Sequence, residues 1–302
     1  FLSRELQRLL ALFAAAGIEA MPYKGPALAA ELYGNAALRQ SSDLDIIVRL
    51  RDVAPASDLL CAEGYTPLPP LTARQQALLM QTQCNLPFTR ERNRLIVELH
   101  WAVSAPSFAR PFAADALWAG GAETEFCGTR IKRPAIADLL LALCVHGSKH
   151  AWERLAWVCD IAELIQQHRE VNWPALIATA RATGSERMLL LGLCLAAELL
   201  DAQLPAAVTA ARATDPVLAS LIASVVRSLF TPALTPSGLA GYFRFQLKSR
   251  RRWRDKLQYL RFIVTPTEKD LARFRLPTPL NFVYYLVRPV RMLMTGGPSH
   301  FH

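Results

Sequence analysis

A pair of carboxylates at the start of an apolar strand pattern, Asp43–Val48, constrains this chain most strongly. Side chains alternate between the two faces of a strand, so Asp43 and Asp45 would share one face while Leu44 lies on the other. Carboxylates this close repel each other, whereas Mg²⁺ is held by one or two carboxylates together with substrate phosphates. The pair indicates either a metal site or a polar strand start beside an Asx turn at Ser41.

A third carboxylate lies in a second strand pattern, Leu95–Trp101. Glu98 stands between two apolar residues, and His100 follows it on the same face. A glutamate buried in mid-strand is costly unless it has a partner. If the two strands are neighbours, Asp43, Asp45 and Glu98 would form a metal cluster of three carboxylates.

A turn and an apolar helix precede the first of these strands. Gly25 allows the backbone to turn tightly and to approach a ligand, and Pro26 suits the first helical position. The N-terminus of such a helix presents free N–H groups and is a ready phosphate site. Lys24 is therefore interpreted either as a phosphate contact or as a solvated turn lysine.

Together these segments resemble the uncharacterised nucleotidyltransferase family, within the DNA polymerase β-like nucleotidyltransferase superfamily. The similarity is dense over residues 20–101 and continues more loosely from His146 to Asp160. The segments that carry it in the first part are Lys24-Gly25, Leu32-Tyr33-Gly34, Arg39, Asp43-Leu44-Asp45 and Glu98-Leu99-His100-Trp101.

The resemblance implies an α+β fold, with a small mixed β-sheet followed by a mainly α-helical domain. It also implies an enzyme that moves a nucleoside monophosphate from a triphosphate to a hydroxyl group, with Mg²⁺ or Mn²⁺ as cofactor and pyrophosphate as the leaving group. The implied catalytic and metal-binding residues are Asp43, Asp45 and Glu98, and the implied nucleotide-binding residues are Lys24, Gly25, Arg39 and Lys149.

One position departs from the pattern of the superfamily, where a serine usually follows the turn glycine and binds a phosphate. Here Pro26 follows Gly25, so that hydroxyl is missing and Lys24 is expected to supply the phosphate contact. Two other functions stay open: a metal-dependent glycosyltransferase that uses a nucleotide sugar, and a scaffold that binds nucleotide without chemistry. The third strand carboxylate argues against both.

Changes of composition along the chain predict three segments. Residues 1–133 hold the strand patterns, 134–230 read as successive apolar helices, and 231–302 form a Pro/Gly/Ser-rich linker followed by a basic and apolar helical extension. The apolar fraction of 52% is typical of a folded chain. The last segment contains an apolar helix pattern, Pro277–Leu293, with a kink expected near Pro289.

The remaining composition favours a cytoplasmic protein. No secretory signal is evident, and the longest apolar runs are too short to span a membrane. The six cysteines show no metal-ligand spacing, so neither disulfides nor structural zinc are expected. His146 and His150 have the spacing of a zinc pair, but no Glu or Cys is expected to complete such a site, and the pair is interpreted either as hydrogen-bonded core or as part of the active site.

The formal charge of +9 favours anionic partners. Basic residues concentrate at 244–261, which reads as one amphipathic helical stretch with three interpretations: a solvated face, a peripheral contact with the anionic inner face of a membrane, or a nucleic-acid site. The acceptor hydroxyl is open as well. A small molecule of the aminoglycoside kind, a sugar, an RNA end, a lipid carrier and a protein all fit.

Overall fold

Apolar residues at helical spacing begin the chain and form α1, Leu2–Ala15, which buries Leu6, Leu9 and Phe13. The computed structural model describes residues 1–90, 95–109, 114–231, 239–273, 276 and 278–295. It divides into two units. The first comprises Phe1–Ala105, Pro111–Ala135 and Pro266–Leu280, and the second comprises Pro106–Arg110, Ile136–Thr265 and Asn281–His302. The three-segment division expected from the sequence stays a prediction.

A five-stranded mixed sheet forms the centre of the first unit. Its strands are β1 Ala20–Pro22, β2 Asp43–Val48, β3 Thr66–Pro67, β4 Asn85–Arg90 and β5 Leu95–His100. The order across the sheet is β1-β2-β5-β4-β3, in which β2 and β5 are parallel and the other neighbouring pairs are antiparallel. The predicted pairing of the two strands around residue 91 is confirmed, although 91–94 lie outside the described residues.

Helices and one hairpin complete the first unit. Most apolar residues of β2 and β5, such as Ile46 and Leu99, are buried, because the strands pack into the core of this unit. The other elements are α2 Gly25–Tyr33, α3 Val53–Ala62, α4 Ala73–Thr82, α5 Ala114–Ala119, α14 Glu268–Arg273 and the hairpin of β6 Ala122–Phe126 with β7 Thr129–Arg133.

The second unit is helical in its described part, as expected. Helix α9 is buried along most of its length and contacts α6, α7, α8, α10 and α11, so it forms the centre of this unit. The helices are α6 Ile136–Lys149, α7 Leu155–Gln167, α8 Trp173–Ala182, α9 Glu186–Leu200, α10 Ala206–Ala213, α11 Val217–Phe230, α12 Leu239–Lys248, α13 Trp253–Val264 and α15 Tyr284–Thr295. The α+β architecture expected from the sequence is therefore confirmed.

The prediction that residues 244–261 form one helical stretch is wrong. Helix α12 ends at Lys248 and α13 begins at Trp253. The break has a clear cause, because the buried guanidinium of Arg187 donates hydrogen bonds to the carbonyls of Lys248 (2.6 Å) and Arg250 (3.0 Å). These carbonyls thus bind a side chain from α9.

Arg250 itself turns inward and is 1% exposed. It donates to the Gln246 carbonyl at 2.7 Å and to the Phe108 carbonyl at 2.9 Å, and its guanidinium lies over the ring of Tyr259. One residue counted in the basic face is therefore part of the core of the second unit.

The other expectations for the last segment are met in part. Most of the expected linker, 232–238, lies outside the described residues. The expected final helix is divided into a 3₁₀ turn, Thr278–Val283, and α15, which contains Pro289.

Candidate metal and nucleotide site

Two carboxylates face each other across the central strands of the first unit. The parallel register of β2 and β5 places Asp45 directly opposite Glu98, and Asp43 opposite Ile96. The prediction that the two strands are neighbours is confirmed. Since residues two apart share a face, Asp43, Asp45 and Glu98 all lie on one side of the sheet.

His100 joins these carboxylates and was not among the site residues predicted from the sequence. Its Nε2 atom lies 3.0 Å from Oδ1 of Asp45 and 3.1 Å from Oε2 of Glu98. Ligand atoms of Asp45, Glu98 and His100 all lie within 4.8 Å of one another, which is close enough to hold a metal ion. The signal was present in the sequence, because Glu98 and His100 are two residues apart in one strand.

Lys24 contributes a second positive charge to the cluster. It is the N-cap residue of α2, and its Nζ atom lies 2.7 Å from Oδ1 of Asp45. Burial works against the charged form of Asp45, but Lys24 and His100 outweigh it and lower the pKa of the carboxyl. Asp45 is therefore ionised, with two cationic side chains around it.

Glu98 and His100 each stabilise the charged form of the other. Burial raises the pKa of Glu98, but the hydrogen bond with His100 brings it below its ordinary value. Burial lowers the pKa of His100, but Tyr23, Asp45 and Glu98 together raise it well above its ordinary value. Asn85 on β4 adds a neutral donor, since its Nδ2 atom donates to Glu98 at 2.9 Å.

Asp43 has a different environment from the other carboxylates. It is half-buried, and among the described residues none donates a hydrogen bond to its carboxylate. Burial, followed by the negative charge of Asp45, raises the pKa of Asp43 to about 6. A cation bound near Asp43 would relieve this repulsion.

Gly25 connects the turn to the strand that carries the carboxylates. Its φ angle is +64°, and a Cβ atom placed there would lie 3.3 Å from the backbone oxygen of Asp43. Both the backbone conformation and the close approach therefore favour glycine. This contact places the first turn of α2 against the start of β2.

The arrangement agrees with a comparison of the sequence with protein families. A family model described as uncharacterised nucleotidyltransferase matches residues 1–201, two thirds of the chain. The chain belongs to this family. Comparison with curated proteins and with solved structures gives no match.

The donor set of this nucleotidyltransferase family member fits a divalent cation. Asp45 and Glu98 offer carboxylate oxygens, which Mg²⁺ and Mn²⁺ prefer, and Asp43 stands two residues away on the same strand face. His100 would offer its Nε2 atom to a transition metal only after it loses the proton that now makes it a cation beside Asp45 and Glu98. The site is thus suited to metal binding by its chemistry.

Two of the predicted nucleotide-binding residues, Arg39 and Lys149, each make a contact within their own unit. Arg39 follows a 3₁₀ turn, Ala36–Leu38, and donates to the hydroxyl of Ser41 at 3.3 Å. Lys149 is the last residue of α6 in the second unit, and its carbonyl accepts a hydrogen bond from Tyr242 at 2.6 Å. The roles of Arg39 and Lys149 stay predictions.

Two further observations concern the second unit of this family member. The rings of His146 and His150 lie 4.8 Å apart, and both contact the ring of Trp157.

Within the described ranges, no single helix is long and apolar enough to cross a membrane. Ala206–Ala213 and Val217–Phe230 pass that test only together, as a pair bent by 103°.

Proposed function

We propose that this protein transfers a nucleoside monophosphate from a nucleoside triphosphate to a hydroxyl group of an acceptor and releases pyrophosphate, with Mg²⁺ or Mn²⁺ as cofactor. The observation that carries the proposal is the position of Asp45 directly opposite Glu98, with Asp43 on the same face. Three carboxylates on one face of a sheet repel one another, and a bound cation would relieve the part of this repulsion that Lys24 and His100 leave at Asp43. The family supports the same reaction class.

In this proposal Asp43, Asp45 and Glu98 hold the metal. Divalent cations, when bound there, neutralise phosphate charge and make an acceptor hydroxyl easier to deprotonate. Glu98 supports that loss of the proton by its negative charge next to the attacking oxygen. His100 and Asn85, which contact Glu98 now, keep its carboxylate oriented.

The first turn of α2 binds the β and γ phosphates. The free N–H groups at a helix N-terminus attract anions, and Gly25 keeps the backbone close to β2. Lys24 moves its ammonium from Asp45 to a phosphate oxygen when a metal ion occupies the carboxylates. Lys24 thereby makes the phosphate contact that a serine hydroxyl makes in the superfamily pattern.

The bonds balance in the usual way for phosphoryl transfer. The acceptor oxygen forms a bond to the α phosphorus, while the bond between that phosphorus and the oxygen bridging to the β phosphate breaks. Pyrophosphate leaves with the electron pair, and the hydroxyl proton passes to solvent.

A second candidate is nucleotide binding without transfer. Two observations favour it: Pro26 replaces the residue that usually contacts a phosphate, and Lys24 lies on the carboxylate that a metal would need. A scaffold of this kind would bind triphosphate and release no pyrophosphate.

A transfer assay separates these candidates. Each nucleoside triphosphate, labelled at the α phosphorus, is incubated with Mg²⁺ or Mn²⁺ and a panel of sugar, aminoglycoside, RNA, lipid and protein acceptors, and both transferred label and pyrophosphate are measured. We expect transfer by the wild type and by the control variant Glu123→Gln, whose carboxylate is exposed on β6. We expect no transfer by Glu98→Gln. Equal transfer by Glu98→Gln would contradict the proposal, and triphosphate binding without pyrophosphate release would favour the scaffold.

A further inference from the structure

Helix α13 presents an apolar stripe to solvent. Trp253, Leu257, Leu260 and Val264 are 66%, 50%, 46% and 38% exposed. Spacings of four, three and four residues place them in one line along the helix. The opposite face of α13 is the one that packs, because Tyr259 is buried there. A solvated helix face normally carries polar residues at these positions.

Cationic side chains flank this stripe. Exposed basic residues lie on both sides of it or just before it, and Asp255, the one acidic residue in α13, is buried. The border of the stripe is therefore positive. The exposed basic residues are Arg252, Arg254, Lys256 and Arg261, together with Arg251, which pairs with Glu186.

Helix α15 packs beside α13 and has an exposed apolar side of its own. Its inner face packs on α13, since the buried guanidinium of Arg288 lies over the ring of Phe262 and donates to the carbonyl of Thr265. Its outer face is apolar and exposed, so both helices are packed on one side and uncovered on the other. The exposed residues are Leu286 (62%), Val290 (55%), Leu293 (74%) and Met294 (78%).

We propose that the exposed stripe of α13, with its cationic border, docks on the surface of an anionic lipid bilayer. An amphipathic helix with tryptophan and leucine on one side and flanking arginine and lysine lies in the plane of the interface. The apolar side chains enter the boundary between headgroups and acyl chains. The flanking cations stay at the level of the lipid phosphates.

The cationic border and the apolar centre of the stripe together favour a lipid bilayer over a second copy of the chain or a nucleic acid. A second copy of the chain would bring the same cationic border against itself, and like charges repel. A nucleic acid would leave the leucines and the valine at the centre of the face without a fitting partner, because contacts to phosphates and base edges are mainly polar. An anionic lipid surface satisfies the apolar centre and the positive border together. The proposal concerns the second unit and does not depend on the reaction proposed for the first.

Vesicle co-sedimentation of the full chain tests the proposal. Vesicles of phosphatidylcholine alone are compared with vesicles that also contain phosphatidylglycerol. We expect binding to the anionic vesicles only, with a blue shift of tryptophan emission that Trp253→Phe removes. Leu257→Ser with Leu260→Ser should weaken binding about tenfold or more. Arg254→Gln with Arg261→Gln should weaken it about fivefold for each cation removed.

The control removes comparable apolar surface elsewhere in the second unit. Leu200→Ser with Phe230→Ser changes exposed residues of α9 and α11 and should leave vesicle binding unchanged. Circular dichroism checks that each variant is folded. Wild-type binding by the Leu257/Leu260 variant, equal binding to neutral and anionic vesicles, or binding to RNA or duplex DNA with none to vesicles would overturn the proposal.

Discussion

The ammonium of Lys24 lies 2.7 Å from the carboxylate Oδ1 of Asp45, and both side chains are nearly buried. The contact joins two features that look separate in the sequence: the phosphate-binding turn and the metal-binding strand. A lysine in this position neutralises the charge that a metal ion would also neutralise. Metal binding and release of Lys24 toward a phosphate are therefore coupled in this account.

Replacement of Lys24 by methionine tests that coupling. Breaking a buried ion pair leaves Asp45 with His100 as its remaining cation, so we expect a loss of about 2–4 kcal/mol in the free energy of unfolding. Excess Mg²⁺ should then stabilise Lys24→Met more than the wild type, because the ion no longer competes with the ammonium. Chemical denaturation with and without metal measures both effects.

Lys149→Met is the matched control, because this lysine lies in the second unit. Its stability should change by less than about 0.5 kcal/mol and its metal response should equal that of the wild type. The coupling is refuted if Lys24→Met and the wild type gain the same stability from Mg²⁺.

Gly25→Ala should damage the site, whereas Gly17→Ala should not. Both glycines have φ near +70°, so alanine should cost about 1–2 kcal/mol of stability at either position. Gly25 alone lies against the backbone oxygen of Asp43; no atom lies within 4 Å of a Cβ at Gly17. We expect weaker triphosphate binding in Gly25→Ala only, measured by calorimetry at matched folded fractions. Equal loss of binding in both variants would show that strain, and not the contact with Asp43, is responsible.

Gly147→Ala should destabilise the second unit. A Cβ at Gly147 would lie 2.8 Å from atoms of the Trp152 indole, which is fully buried and cannot move aside easily. The clash should cost about 1–3 kcal/mol, more than alanine gains by its helix propensity. In a Trp152→Leu background the same change should become neutral or stabilising. A thermal denaturation cycle of the four proteins tests this, and an unchanged penalty in that background would contradict it.

The carboxylate of Glu5 should make the free energy of unfolding depend on pH. Its Oε1 atom accepts hydrogen bonds from Tyr65 (2.6 Å) and Arg8 (2.8 Å) and lies 3.1 Å from Arg90. Burial raises the pKa of Glu5, but Arg8 and Tyr65 outweigh it and lower the pKa below its ordinary value. Ionised Glu5 therefore stabilises the folded state fully above the pKa of the unfolded state, about 4.3. This stabilisation is lost as the pH falls through the pKa of the folded state.

Glu5→Gln should accordingly cost about 1–3 kcal/mol at pH 7 and progressively less below about pH 4. Urea denaturation across this range measures the difference from the wild type. Glu123→Gln, which removes an exposed carboxylate, should stay within about 0.5 kcal/mol throughout. A penalty for Glu5→Gln that does not change with pH would show that its charge contributes nothing.

The shared face of Asp43, Asp45 and Glu98 could be predicted because it depends only on strand periodicity and on the pairing of two strands. The contact between Lys24 and Asp45 could not. It requires the N-terminus of α2 to lie against β2, and that approach is visible only as the 3.3 Å distance at Gly25. Strand periodicity places His100 on the same face as Glu98, but its contact with Asp45 depends on the register between β2 and β5.

The basic stretch, 244–261, shows a feature that sequence periodicity predicts wrongly. Local spacing predicts one amphipathic helix, but a hydrogen bond from Arg187, more than sixty residues away, satisfies the Lys248 carbonyl where α12 ends. Arg250 similarly binds the carbonyl of Phe108. Such long-range contacts leave no periodic signal in the sequence, so the break and the burial of Arg250 could not be foreseen.

The most direct test of the central claim is calorimetric titration of the four nucleoside triphosphates, with and without Mg²⁺, into the wild type, Asp45→Asn and the control Glu123→Gln. We expect binding that depends on Mg²⁺ in the wild type and in the control and that is lost in Asp45→Asn, which remains folded. Binding by Asp45→Asn as tight and as metal-dependent as that of the wild type would contradict the assignment of the metal and the triphosphate to these carboxylates.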